Sequence, residues 1–201
     1  MARVKATKTE LKAQRDGLRR YQRYLPTLLL KKQQLQAEIR QVEARLVDLV
    51  AREAQLEADA ASWVDLFADA VDFTIWLRVD RLVTDTGNVA GLTVPILREV
   101  RFARTEPDLR GTPSWYDDAL SLLEDLLRVR LERRILDEQR RLLADELRTT
   151  NQRVNLFERV KIPECRDAIR RIRIALGDVQ TLEVARGKIA KVKSLERGTA
   201  S

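Results

Sequence analysis

The chain has no histidine and a single cysteine, Cys165, among 201 residues. Without histidine there is no imidazole acid or base, no histidine-activated nucleophile and no histidine metal site. One cysteine excludes an internal disulfide and a cysteine-cluster metal centre. Glycine and proline are scarce, at 7 and 5 residues, about half their usual share, so turns must be few. No apolar run approaches the roughly 18 residues of a membrane span. The start, MARVKATKTE, carries no signal-peptide apolar block. No P-loop, glycine-rich phosphate loop or zinc spacing occurs. These absences lead to the expectation of a soluble, cytoplasmic chain with no cofactor and no catalytic centre of its own.

Charge is what the sequence has in excess. Lys and Arg number 38 against 31 Asp and Glu, a net of +7; charged residues reach 34% while apolar residues stay at 44%. That mix is too apolar for a disordered chain and too charged for a single compact core, so it points to long helices.

Apolar spacing agrees. Leu28, Leu35, Ile39, Val42, Leu46, Leu49, Leu56 and Ala60 recur at steps of three and four, with Lys32 and Glu53 at the two skipped seam positions. This is a coiled-coil stripe. Leu11, Leu18 and Leu25 continue a seven-residue spacing upstream, although Pro26 should kink or break the helix there. A second pattern begins after Thr112-Pro113, a cap followed by a residue suited to the first helical position. It runs through Leu120, Leu123, Leu127, Leu131, Ile135, Leu142, Leu147, Val154 and Phe157. After Ile162-Pro163 it resumes as Ile169, Ile172, Leu176, Val179, Leu182, Ile189 and Val192. Fully helical, each pattern spans roughly 75 to 120 Å. Such helices must pair, either antiparallel within the chain or with a second chain.

The middle differs. Seven of the ten aromatics lie between Trp63 and Tyr116. Trp63, Phe67, Val71 and Ile75 form one helical stripe, and Leu66, Ala70, Phe73 and Leu77 a second, so this helix should be covered on two sides. Thr84 to Asn88 reads as a turn. Leu92 to Phe102 reads as extended structure, with Ile96, Val100 and Phe102 on one face, Arg98 as the exception, and Pro95 confining the strand to an edge or end. The expected fold is therefore mainly α: a long antiparallel coiled coil with a small middle section containing a short β-hairpin. Its parts are an N-terminal helix over 1–62, a middle section over 63–118 and a C-terminal helix over 119–201, one elongated domain overall.

Residues 1–34 hold ten basic and two acidic side chains, residues 186–201 five and one. In an antiparallel hairpin both basic ends coincide at one tip, which should favour an anionic partner there. The pairs Arg19-Arg20, Arg133-Arg134, Arg140-Arg141 and Arg170-Arg171 resemble a nucleic-acid stripe. Placed along heptads and mostly without aromatic neighbours, they read as the solvated flanks of a coiled coil. Asp117-Asp118 and Glu124-Asp125 read as helix-dipole carboxylates, and Cys165 as a small packed residue. A basic coiled-coil scaffold or a nucleic-acid-associated protein is the alternative class.

Three stretches resemble the D subunit of the V-type and archaeal-type rotary ATPases, the central stalk of the motor. Arg153-Val154-Asn155-Leu156-Phe157-Glu158-Arg159-Val160-Lys161-Ile162-Pro163, followed by Ile169, Ile172 and Leu176, is similar to the family's RVNALE…IP…I..I…L signature. Asn88-Val89-Ala90-Gly91-Leu92-Thr93-Val94-Pro95 is close to its NVAG-x-x-VP. Thr7-Lys8-Thr9-Glu10-Leu11 is a third, weaker match. Tyr24 to Lys32 stands where much of the family has a glycine-histidine pair and LLK-x-KRD, and the usual acidic run near the end is missing; both suggest a divergent bacterial branch.

The resemblance implies a non-catalytic shaft whose coiled coil enters, termini first, a catalytic head of alternating A and B subunits. The middle section would meet the small F subunit and the socket subunit on the membrane ring, with Trp63, Phe67, Phe73 and Trp76 as candidate partner surface. It implies no nucleic acid and no direct membrane insertion, the shaft being peripheral to the membrane in the soluble sector. Arg153, Val154, Asn155, Glu158, Ile162, Pro163, Asn88, Gly91 and Pro95 would be structural motif residues. For Pro163 two readings stand: a tolerated kink or break, or a bend that gives the shaft its asymmetry.

Overall fold

A computed structural model describes residues 5–61, 76–105 and 115–198, the last four without side chains. Helix α1 spans Lys8–Ala61, strand β1 Leu77–Val89, strand β2 Leu92–Arg104 and helix α2 Tyr116–Asn155. A π-helical turn over Leu156–Lys161 then leads into α3, Ile162–Gly198. Long helices at both ends of the chain and one antiparallel hairpin between them are the fold that the spacing implied. Trp63, Phe67 and Phe73, with the two-faced helix expected around them, lie outside the described residues, as does the Thr112-Pro113 start.

α1 begins on a cap. The Glu10 amide donates to Thr7 Oγ1 at 3.2 Å and the Leu11 amide to the Thr7 carbonyl at 3.0 Å. Thr7 thus takes up backbone donors that a first turn leaves open. Of the kink or break expected at Pro26, the break does not occur: α1 runs through it. Pro26 and Gln22, whose carbonyl loses its donor, are both exposed, so water can serve that carbonyl. The Thr27 hydroxyl also donates to the Tyr24 carbonyl at 2.8 Å.

The chain forms two compact units. One holds α1 from Lys31 onward, the hairpin, and α2 up to Thr149. Its core takes the expected α1 stripe, Leu35, Val42, Leu46 and Leu49, against Val129, Leu136 and Leu143 of α2, flanked by Ile39, Leu56 and Leu147. On α2 the expectation is corrected: Leu131, Ile135 and Leu142 are only half-buried, because the face turned to α1 lies one or two residues away from them. The helices run antiparallel, since Lys31 pairs with Glu146 at 2.5 Å while Glu53, farther along α1, pairs with the earlier Arg130 at 2.9 Å. Val89, Ala90 and Leu92 at the hairpin tip pack on the same cluster. A second cluster of Leu77, Tyr116 and Leu120 closes the hairpin base, with Trp76 and Phe102 beside it.

The other unit joins α1 up to Leu30 with the chain from Thr150 onward. Val154, Ile162, Cys165, Ala168, Ile169 and Ile172 are its buried apolar side chains, and Thr150 is buried with them. Tyr21 and Phe157 stack tilted, with centroids 4.9 Å apart. Buried Gly17 faces Cys165, and a Cβ there would meet Cys165 Sγ and Tyr21 Cε2 at 3.8 Å, ordinary contact distance. Gly17→Ala is therefore expected to stabilise the chain by about 0.5–1 kcal/mol, because helix propensity improves without a clash. A urea midpoint lower than wild type would show that the interhelical gap needs glycine.

The two basic ends do not coincide. With Gly17 opposite Cys165, Lys8 at the head of α1 falls opposite about Ile174 in the antiparallel register. From Gly177 on, every α3 side chain described is exposed, Val179, Leu182, Ile189 and Val192 included. A Cβ at Gly177 or Gly187 would meet nothing within 4 Å among the described residues. The basic end of α3 is an arm that overhangs its partner helix.

Candidate functional site

The family-like motifs occupy three local structures, each with its own physical reason. The first is the hairpin tip. Val89 pairs with Leu92 around a two-residue turn in which Ala90 has φ 52° and Gly91 φ 81°. Positive φ at both central positions marks the turn type whose twist suits a hairpin. The Asn88 side-chain oxygen accepts from the Gly91 amide at 3.0 Å. Thr84 to Asn88, expected as the turn, is instead the last stretch of β1. The cluster formed with the helices fixes Val89, Ala90 and Leu92 in place, and that packing sets the reversal two residues further on. Gly91→Ala would force a side chain into a left-handed backbone, at a cost of about 1–2 kcal/mol. The measurement is chemical denaturation, and an unchanged midpoint would show that the tip does not hold the unit together.

Two irregularities shape the strands above the tip. Asp80 is extra in β1 and Arg98 in β2, as the pairing jumps from Val79↔Phe102 to Arg81↔Arg101 and from Val83↔Glu99 to Thr84↔Leu97. The second bulge breaks the expected single face of Ile96, Val100 and Phe102. Val100 and Phe102 are half-buried, while Ile96 is exposed. Arg98 turns outward and clasps Asp85 at 2.7 Å, which holds that carboxyl below its usual range. Pro95, paired with Thr86, keeps its carbonyl as an acceptor for the Gln139 side chain on α2. Lower down, Arg128 of α2 lies 5.8 Å over the Phe102 ring.

The second structure is the base of the hairpin. Trp76 and Tyr116 meet edge to face, with centroids 4.8 Å apart. The Tyr116 hydroxyl donates to the Thr105 carbonyl at 3.0 Å, and the Thr105 amide to the Trp76 carbonyl at 3.0 Å. Trp76 is half-buried in this knot. Arg104 pairs with Glu124 at 2.6 Å, and that hydrogen bond raises the guanidinium pKa further.

The third is the π-helical turn. The Ile162 amide reaches back five residues to the Phe157 carbonyl, so the turn holds one residue more than an α-turn would. Val154 and Ile162 are buried, and Arg153, Asn155, Glu158 and Pro163 are exposed. Pro163 is the second residue of α3, at the end of the wider turn. In a regular helix its ring would meet the Arg159 carbonyl. The sequence carries this as a step of five residues from Phe157 to Ile162, longer than the three or four of an α-helical face.

Sequence spacing also missed a built ion-pair cluster. Glu53 is buried in the seam, and its two carboxylate oxygens receive Arg130 and Arg133. Arg130 also reaches Glu57 at 2.6 Å, and the hydrogen bonds it donates to Glu53, first, and Glu57 raise its pKa. Glu53 at a skipped seam position was the signal, since a buried carboxylate there requires a cation from the facing helix. Burial pushes the Cys165 thiol pKa up, away from nucleophile behaviour. No helix among the described residues is long and apolar enough to cross a membrane.

Known proteins of similar sequence point in the same direction. The sequence profile of the family described as the ATP synthase D subunit matches residues 10–192. The V-type ATP synthase D subunit of Borreliella burgdorferi is 39% identical over 201 residues, all of both chains. The protein of that name from Chlamydia pneumoniae is 33% identical over 195 residues, covering 94% of this chain and 92% of that one. In Chlamydia muridarum the identity is 32% over 197 residues, 96% of each chain.

Proposed function

Because the chain belongs to the ATP synthase D subunit family, we propose that it is the central rotor shaft of a V-type ATPase/ATP synthase. In this reading it is non-catalytic. It couples ATP turnover in a head of A and B subunits to proton or sodium movement through the membrane sector. The observation that carries the reading is the α3 arm beyond Gly177, a continuous helix with exposed Val179, Leu182, Ile189 and Val192. An apolar stripe on a single helix needs a surrounding partner, and a head with a central bore offers one. The stiff antiparallel pairing of α1 with α2 and α3 suits transmission of torque. The middle section is the face offered to the F subunit and to the socket subunit, with Trp63, Phe67, Phe73 and Trp76 as its candidate contacts. The chain then sits on the cytoplasmic side, peripheral to the membrane.

The test is capture of the tagged full chain from its host at moderate salt, with partners identified by mass. Recovery of A and B subunits with a small F subunit supports the shaft. Recovery of nucleic acid, or of the chain alone, would overturn it in favour of a basic coiled-coil scaffold.

A further inference from the structure

Five arginines converge on one cleft between α1 and α3. Arg15 and Arg19 come from α1, and Arg166, Arg170 and Arg173 from α3. Gln22 completes the rim, and Leu18, Ile169 and Ile174 supply apolar surface in a cleft of about 950 Å³. Steps of three and four put each set on one helix face, and the antiparallel pairing turns the two faces together. No acidic side chain lines the cleft.

Among the described residues none of these five guanidinium groups has an ion-pair partner, although Asp16 and Asp167 adjoin Arg15 and Arg166 in sequence. Eight arginines of the hairpin and α2, Arg98, Arg101, Arg104, Arg128, Arg130, Arg133, Arg140 and Arg141, are paired with carboxylates. Other single arginines among the described residues are not, and what sets the cleft apart is that five unpaired guanidinium groups surround one space. Like charges gathered without compensation repel and weaken a fold, so their convergence calls for a ligand.

We propose that this cleft docks an acidic polypeptide segment, which sets carboxylates against the arginine rim and an apolar side chain between them on Leu18 and Ile169. Guanidinium forks match carboxylates in geometry and charge. A nucleic acid would satisfy the charge but leave the apolar floor unused, and no aromatic lines the cleft for a base to stack on. The proposal rests on the shaft reading only for the source of the segment, a neighbouring subunit of the complex.

The test uses the full chain and a labelled peptide of Glu-Glu-Leu repeats, with a DNA duplex of equal charge as competitor. Arg19→Gln with Arg170→Gln is expected to weaken peptide binding about tenfold or more while the thermal midpoint holds or rises, because repulsion is relieved. Arg98→Gln with Arg101→Gln, the same charge change on the hairpin, is expected to leave binding at wild-type strength. The proposal falls if the cleft variant binds as well as wild type, if the hairpin variant loses as much, if the duplex outcompetes the peptide, or if the cleft variant melts earlier. If the wild-type chain binds the peptide but captures no head subunits, the shaft reading fails and the docking site stands. Capture of the head with cleft-independent peptide binding would remove the docking site alone.

Discussion

Leu35→Ala is expected to cost about 3 kcal/mol of stability, because Leu35 has no solvent exposure and sits inside the α1–α2 seam. The lost transfer energy and the cavity left in the seam cluster add together, since rigid antiparallel helices collapse poorly around a missing side chain. For a chain of this size the melting midpoint should fall by about 6–12 °C. Val47→Ala on the outer face of α1, where the side chain is 67% exposed, should change stability by less than about 0.5 kcal/mol. Calorimetry on both variants decides the matter. Equal midpoints would mean that stability does not come from the seam.

Deleting Arg159, an exposed residue inside the π-helical turn, should cost about 3 kcal/mol in the wild-type background and far less alongside Pro163→Ala. Removing one residue returns the turn to α-helical spacing and keeps the buried side chains on both sides in phase. It also presses the preceding carbonyl onto the Pro163 ring, the usual penalty of an internal proline. The extra residue and the proline are thus expected to be energetically coupled, by about 2–3 kcal/mol in a double-mutant cycle read by urea unfolding. Additive costs would show that the wide turn has another origin. Pro163→Ala alone should alter coupling of ATP turnover to pumping more than folding, and unchanged ATP-driven pumping would leave the proline a purely local role.

These elements were unequally legible in the amino-acid order. The heptad run from Leu35 to Leu49 announced the α1 side of the seam, because one apolar face at period 3.5 admits few other uses. On α2, apolar residues at Leu131, Ile135 and Leu142 beside Val129, Leu136 and Leu143 left the facing stripe ambiguous. Pro26 does not end the helix, since local propensity is a weak prior against dozens of helical neighbours already held by pairing. Thr84 to Asn88 has the composition of a turn. Strand pairing absorbed it because the reversal is set by packing of Val89, Ala90 and Leu92 on the distant helices, which no local window contains. The arginine cleft was invisible for the same kind of reason. Arg19-Arg20 and Arg170-Arg171 looked like separate solvated pairs until register placed Arg19 and Arg170 around one space. Glu53 and the step between Phe157 and Ile162 were readable but needed the partner helix to give them meaning.

The overhanging arm of α3 carries a thermodynamic consequence. A single helix in water keeps only its own backbone bonds, and at such length these are worth little more than the entropy of ordering. Amide hydrogens beyond Gly177 should therefore exchange with solvent far faster than those beside Leu35, by fraying rather than by global opening. Whatever encloses the arm must supply the free energy of its ordering at the moment of enclosure. That tempers affinity and leaves the seated state able to let go.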